Sequence, residues 1–140
     1  MPHFNPDDDQ PSVHPAVADL RARISAADAL MFSTPEYAGA LPGSFKNLLD
    51  WTVGGGETYA MPVAWLNASA SPTGAADAHA CLRRVLERTG TDIVERACRP
   101  VPVSRSAIGA DGLVTDEDAR ARSVAALTAL AAHAAERRRG

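Results

Sequence analysis

The chain has 140 residues, 46% hydrophobic and 22% charged, with a formal net charge of −3. One domain of this length buries roughly two-thirds of its unfolded surface without staples, and the composition excludes wholesale disorder. There is no basic excess to collect phosphates, no apolar run near the ~18–20 residues of a membrane span, and only Cys81 and Cys98 for a disulfide or metal framework.

Residues 1–14 hold three prolines and the run Asp7-Asp8-Asp9, and read as an extended connector. No basic, apolar, small-residue leader opens the sequence, so the expected compartment is a reducing cytoplasm. A helix is predicted from Pro15 to about Ala27, with proline at its first position and Val17, Leu20 and Ile24 at helical spacing. Ala29 to Ser33 is a short apolar run of the kind found in strands buried on both faces, and Thr34-Pro35 ends it. A second helix is expected from about Pro42 to Thr52, broken by Gly54-Gly55-Gly56, which reads as a flexible loop. Trp51 on it suits either core packing or a subunit interface.

Pro62 to Ala70 is a second apolar strand, followed by the turn Ser71-Pro72-Thr73-Gly74. Ala75 to Thr89 is a helix with Leu82, Val85 and Leu86 inward and Gly90 as its stop. A third strand is expected near Asp92 to Ala97, then extended chain to about Val103. The last helix starts near Thr115, with Thr115 and Asp118 resembling a capping box. Val124, Leu127, Leu130 and Ala131 are expected to face inward, although abundant alanine blurs the periodicity.

Alternation of helices with short apolar strands gives an α/β fold, a parallel sheet covered on both faces. Such sheets take ligands at the carboxyl ends of their strands. That rule selects the loops Thr34–Leu41 and Ser69–Gly74. Taken on to Gly43, the first combines two prolines, two glycines and Tyr37 near a strand end. Its rigid, open backbone groups beside an aromatic ring suit a flat heteroaromatic ligand. A plain βα turn with a packing tyrosine remains the alternative. His3, His14, His79 and His133 show no ligand spacing, and no metal site is expected; of these only His79 lies near a candidate loop. Cys81 and Cys98 read as small buried hydrophobes.

The run TPEYAGALPGSFKNLLDW, Thr34 to Trp51, resembles the PEYNGSIPGxLKNALDW signature of the NADPH-dependent FMN reductase family, which has the flavodoxin-like fold. The resemblance implies one flavodoxin-like domain over residues 1–140, a three-layer parallel sheet with FMN at its carboxyl edge. Pro35, Glu36, Tyr37, Ala38 and Gly39 would meet the isoalloxazine ring, and Ser71, Pro72, Thr73 and Gly74 would form the second flavin loop. Ala38 and Ala40 depart from the family, which usually has asparagine and often serine there.

The family opens with a strand and a Gly-Ser-x-Arg-type loop whose amides hold the FMN phosphate. The sequence starts instead where the family's second strand is ending, so the first β-α-β portion is expected to be missing. With sheet order 2-1-3-4-5, this makes Ala29–Ser33 an edge strand.

The implied activity is that of an NAD(P)H-dependent oxidoreductase. A nicotinamide (NADPH or NADH) would pass a hydride to bound FMN, and a quinone, azo dye or similar small-molecule acceptor would take the electrons. No catalytic side chain is required. The implied partners exclude nucleic acid and membrane, and include another copy in a homodimer or homotetramer. The rival expectations are a truncated, non-catalytic remnant that does not hold FMN, and a non-flavin α/β binding module.

Overall fold

A computed structural model describes residues 1–139. The elements run in chain order as helix α1 (Pro15–Ala26), strand β1 (Leu30–Phe32), α2 (Gly43–Asp50), β2 (Pro62–Asn67), α3 (Ala76–Arg88), β3 (Asp92–Ile93), β4 (Arg99–Pro100) and α4 (Glu117–Arg137). All strand pairs are parallel. β2 pairs with β1 through Met31 and Ala64, with β3 through Val63 and Ile93, and with β4 through Leu66 and Arg99.

The expected third strand is therefore present but broken. A single 3-10 turn, Glu95–Ala97, separates β3 from β4, and both pieces lie against β2. The chain rejoins β2 beyond the turn, where Val101 N donates to Asn67 O at 2.8 Å. Pro100 lacks a donor and is tolerated because this strand has a sheet neighbour on one side only among the described residues.

Side-chain alternation along the strands sorts the core into two layers. Leu30, Phe32, Val63 and Trp65 face α2 and α3, where Leu49, Leu82 and Leu86 are buried against them. Met31 and Ala64 face the other way, onto Leu130 of α4 and Ala97. Helices thus cover both faces, as the α/β pattern predicts.

The inward stripe of α4 differs from expectation. Ala119, Ala126, Leu130 and Ala134 are buried, whereas Val124 and Leu127 are 62% and 50% exposed and Ala131 is exposed. Small residues let the helix approach the sheet closely, so alanines, not the largest apolar side chains, mark its contact face. The cap is also one residue later than the capping-box pattern implied: Asp116 Oδ1 accepts from Ala119 N at 2.8 Å. α3 ends as its Gly90 signals, in a Schellman turn where Gly90 N donates to Glu87 O and Thr91 N to Leu86 O.

The N-terminal connector is tied down. Asn47 Oδ1 accepts from Phe4 N at 2.7 Å, and Trp51 Nε1 donates to Pro2 O at 3.0 Å. Trp51 is fully buried, which makes it a core residue. Arg21 joins α1 to this corner. Its guanidinium donates to Trp51 O at 2.6 Å and to Asp9 Oδ1 at 2.8 Å, and its Nε lies 3.4 Å from Glu57. The Asp9 and Glu57 carboxylates lie where side chains of Gly54 and Gly55 would begin. Gly54 and Gly55 are therefore close-approach positions, whereas Gly56 has open space around it and a φ of 69°.

At the opposite corner Asp92 accepts from Arg137 at 2.6 Å and lies 2.7 Å from His133 Nε2, joining β3 to the end of α4. Burial alone would raise its pKa. The His133 and Arg137 hydrogen bonds outweigh that and hold the carboxyl below its ordinary value. A lowered folded pKa contributes stability above the unfolded value of about 3.9, and that contribution is lost as pH falls through the folded one. Asp92→Ala should cost about 1–3 kcal/mol in urea melts at neutral pH and flatten the loss of stability below about pH 4. An unchanged acid limb would show that Asp92 is not its source.

Leu30, Met31 and Phe32 are each half-buried, and the outer edge of β1 faces no strand among the described residues. The half-exposed Leu127 of α4 lies beside Met31 and Leu130. An open apolar edge is a template for association. The chain should show an apparent mass that rises with concentration in size-exclusion chromatography; a monomer at every concentration would show that the edge needs no cover.

Candidate functional site

At the carboxyl ends of β1 and β2 the chain opens into a cleft of about 610 Å³. One wall is Ser33 to Glu36, leaving β1; the other is Ala68, Ser69, Ser71, Thr73 and Ala75, between β2 and α3. Both strands leave the sheet here, so the two connections must diverge, and the gap between them is the cleft.

The first wall is stiffened by its turn. Tyr37 N donates to Ala40 O and Ala40 N to Tyr37 O, so Ala38 and Gly39 form a two-residue hairpin turn. Both have positive φ, 51° and 72°, the type I′ geometry. Tyr37 is 65% exposed. Glu36 points across the cleft, and its Oε2 accepts from Ala78 N at 3.0 Å in the first turn of α3.

The second wall is a run of hydroxyls. Ser69 Oγ lies 2.9 Å from Ser71 Oγ, which lies 3.2 Å from Thr73 Oγ1. Asn67 braces this loop from within: its side-chain oxygen accepts from Ser69 N and its amide donates to Gly74 O.

Of the residues expected from sequence, Pro35, Glu36, Ser71 and Thr73 line the cleft. Tyr37, Ala38, Gly39, Pro72 and Gly74 belong to the same two loops but are not among its lining residues. Ser33, Thr34, Ala68, Ser69 and Ala75 line it in addition. Ser33 and Ala68 stand at or near the ends of the apolar runs, and that position was the available signal.

No lysine or arginine is among the lining residues, whose single charged side chain is Glu36. His79 is buried beneath the second wall, with Nδ1 2.9 Å from Ala75 O. Burial pushes the Cys98 thiol up, away from thiolate chemistry, and the thiol donates to Val94 O. The cleft itself offers hydroxyls, backbone groups and the Glu36 carboxylate.

The pattern of the NADPH-dependent FMN reductase family matches residues 1–101. The chain belongs to that family. It is 34% identical over 122 residues to an NAD(P)H-dependent FMN reductase of Pseudomonas aeruginosa, covering 86% of this chain and 66% of that protein. To the 2-hydroxy-1,4-benzoquinone reductase of a Burkholderia species it is 32% identical, covering 81% of this chain and 62% of the other. The solved structure of FerB, a flavoenzyme NAD(P)H:(acceptor) oxidoreductase from Paracoccus denitrificans, superimposes with a TM-score of 0.78 at 31% identity, over 93% of this chain and 73% of that one. The α/β fold is thus of the flavodoxin-like class. The chain spans about two thirds or less of the length of these curated relatives.

The structure explains the reductase signature by position. Its first half, Pro35 to Gly39, builds the cleft wall and its I′ turn. Its second half lies along α2 and beyond: Lys46 pairs with Asp50, while Asn47 and Trp51 hold the N-terminal connector. The family's asparagine at position 38 is the residue best suited to the first place of a type I′ turn, with glycine second. Alanine there carries the left-handed penalty of about 1–2 kcal/mol. Ala38→Asn should therefore stabilise the chain by about 1 kcal/mol in denaturant melts; a neutral or destabilising result would show that this turn is not under strain.

Proposed function

We propose that the cleft between residues 33–36 and 68–75 takes the isoalloxazine ring of FMN, and that the protein is an NAD(P)H-dependent oxidoreductase with a quinone-like or azo acceptor. The observation that carries this is the cleft itself, at the carboxyl ends of two parallel strands and walled by the family signature. The fit is that of a ring site: its volume lies within the roughly 300–1,000 Å³ of small-molecule pockets. Its hydroxyls and free backbone groups suit the polar edge of the ring.

Pro35, Glu36, Ser71 and Thr73 would line the ring. Tyr37, Ala38 and Gly39 would shape the loop beside it, and Pro72 and Gly74 the turn opposite. When bound, FMN supplies hydride acceptance from NADPH or NADH and electron delivery to the acceptor. The chain's own residues bind and orient. Tyr37, exposed on the turn that follows the first wall, would offer an aromatic face to an entering planar substrate. The relatives named for FMN and benzoquinone reduction support acceptors of that class.

In this reading the protein is cytoplasmic and pairs as a homodimer or homotetramer, with exposed Val124 and Leu127 as apolar surface for another copy. Among the described residues no helix is long and apolar enough to cross a membrane. In this reading residues 1–140 belong to a single flavodoxin-like domain.

One observation favours a second reading, a remnant that does not hold FMN: the cleft lining has no cation for the phosphate. Equilibrium dialysis of the chain against FMN and riboflavin separates the two. The expected result is binding no tighter than about 1 μM, with the two ligands within about threefold, since only the ring is held. No binding of either favours the remnant. Sub-micromolar binding of FMN with far weaker riboflavin would place a phosphate cradle within these residues and overturn the ring-only site.

A further inference from the structure

We propose that Glu36 is a positioning residue: its carboxylate serves as the N-terminal cap of α3 from across the cleft, and so sets the separation of the two walls that take the flavin ring. This rests on the flavin reading given above.

The need for such a cap comes from α3 itself. The first amides of a helix have no partner within it, and a side chain at the cap position normally accepts from the second or third. Here the cap is Ala75, with φ 51° and ψ 39°, and it offers no side-chain acceptor. The third residue of the helix is Ala78, which is fully buried. Its amide would be left without an acceptor in the core, a cost of about 1–3 kcal/mol. Glu36 Oε2 fills that place at 3.0 Å, from 42 positions earlier in the chain. A carboxylate also suits the positive end of the helix dipole.

The geometry ties this bond to the cleft. Glu36 lies on the β1 wall, and Ala75 at the foot of the β2 wall starts α3. Among the described residues the Glu36–Ala78 bond is the single hydrogen bond between segments 33–41 and 68–78. Gly39 of the same turn comes close to α3 as well; a side chain there would begin 3.9 Å from Asp77 Oδ2. The far end of α3 is closed separately by the Schellman turn at Gly90. Asn67 braces the second wall from its own side, and Glu36 ties the start of the helix, where that wall ends, to the first wall. The same carboxylate fills the anion-attracting end of α3, so that end does not serve a flavin phosphate.

The test compares Glu36→Ala, Glu36→Gln and a control, Asp116→Ala, in the full chain. Asp116 caps α4 with the same type of bond, away from the cleft. Two readouts are taken: the FMN dissociation constant by equilibrium dialysis, and hydrogen exchange of the Ala78 amide by NMR without flavin. Glu36→Ala should weaken FMN about tenfold and speed Ala78 exchange. Glu36→Gln, whose side-chain oxygen still accepts, should stay within about threefold on both, and Asp116→Ala should leave FMN affinity unchanged despite lowered stability.

Faster Ala78 exchange in Glu36→Ala with unchanged FMN affinity would overturn the role, leaving a cap that does not set the cleft. Glu36→Gln as weak as Glu36→Ala, with Ala78 still protected, would also overturn it, because charge and not position would then matter. Equal loss of FMN affinity in Asp116→Ala would reduce the effect to general stability and overturn it too. Failure of the unaltered chain to bind FMN at all would overturn the flavin reading, and this role with it, which is distinct from normal binding in the unaltered chain and in Glu36→Ala.

Discussion

Strand β2 is bonded along both edges and buried on both faces, and most of the architecture follows from satisfying it. Its first four residues, Pro62 to Trp65, are buried. Only a segment that is apolar at every position can sit there, because neither face is available to polar side chains. Its two edges demand β1 on one side and the β3–β4 pair on the other. Its two faces demand α2 and α3 above Val63 and Trp65, and α4 above Ala64. Where β2 ends, at Asn67, this cover ends too, and the polar chain that follows becomes one wall of the cleft. The site is the place where the central strand stops being buried.

The family signature divides its work along α2. That helix is eight residues long and runs from the cleft to the opposite end of the sheet. The residues before it form a turn and a bridging carboxylate at the cleft. Those on its far side, Asn47 and Trp51, hold Pro2 and Phe4. A continuous motif in the sequence is thus two separate structural devices joined by a rigid rod. Only the first of them can touch a ligand in the cleft. Substitutions in the two halves consequently act by different routes, one on the walls of the site and one on the anchoring of the incoming chain.

Much of this was legible from local pattern. The apolar runs located β1 and β2 because doubly buried strands leave no choice of residue, and Gly90 located the end of α3 because its φ of 68° favours glycine. The contact face of α4 was not legible, since alanine is compatible with every environment and the larger Val124 and Leu127 drew the stripe to the wrong side. The break between β3 and β4 falls inside the expected strand Asp92–Ala97, where the adjacent charged residues Glu95 and Arg96 were the available sign of an interruption. At the cleft, strand ends and motif located both walls. The partner of Glu36 depends on how two loops meet in space, and no spacing in the sequence encodes that.

The placement of the two indoles has an optical consequence. Trp51 is sealed at the far end of α2, bonded through its ring nitrogen to Pro2 O and in edge contact with Phe4 at 5.0 Å. Trp65 lies on β2 nearer the cleft, with the Arg83 guanidinium 5.0 Å above its ring and the His79 ring 6.5 Å away. One chromophore is therefore embedded in the docking of the N-terminal segment, and the other sits beside a cation and an imidazole below the candidate site. Replacing either by phenylalanine leaves a chain whose ultraviolet emission reports on one end of the sheet alone, so detachment of the N-terminal segment and rearrangement around α3 become separately visible in the same molecule.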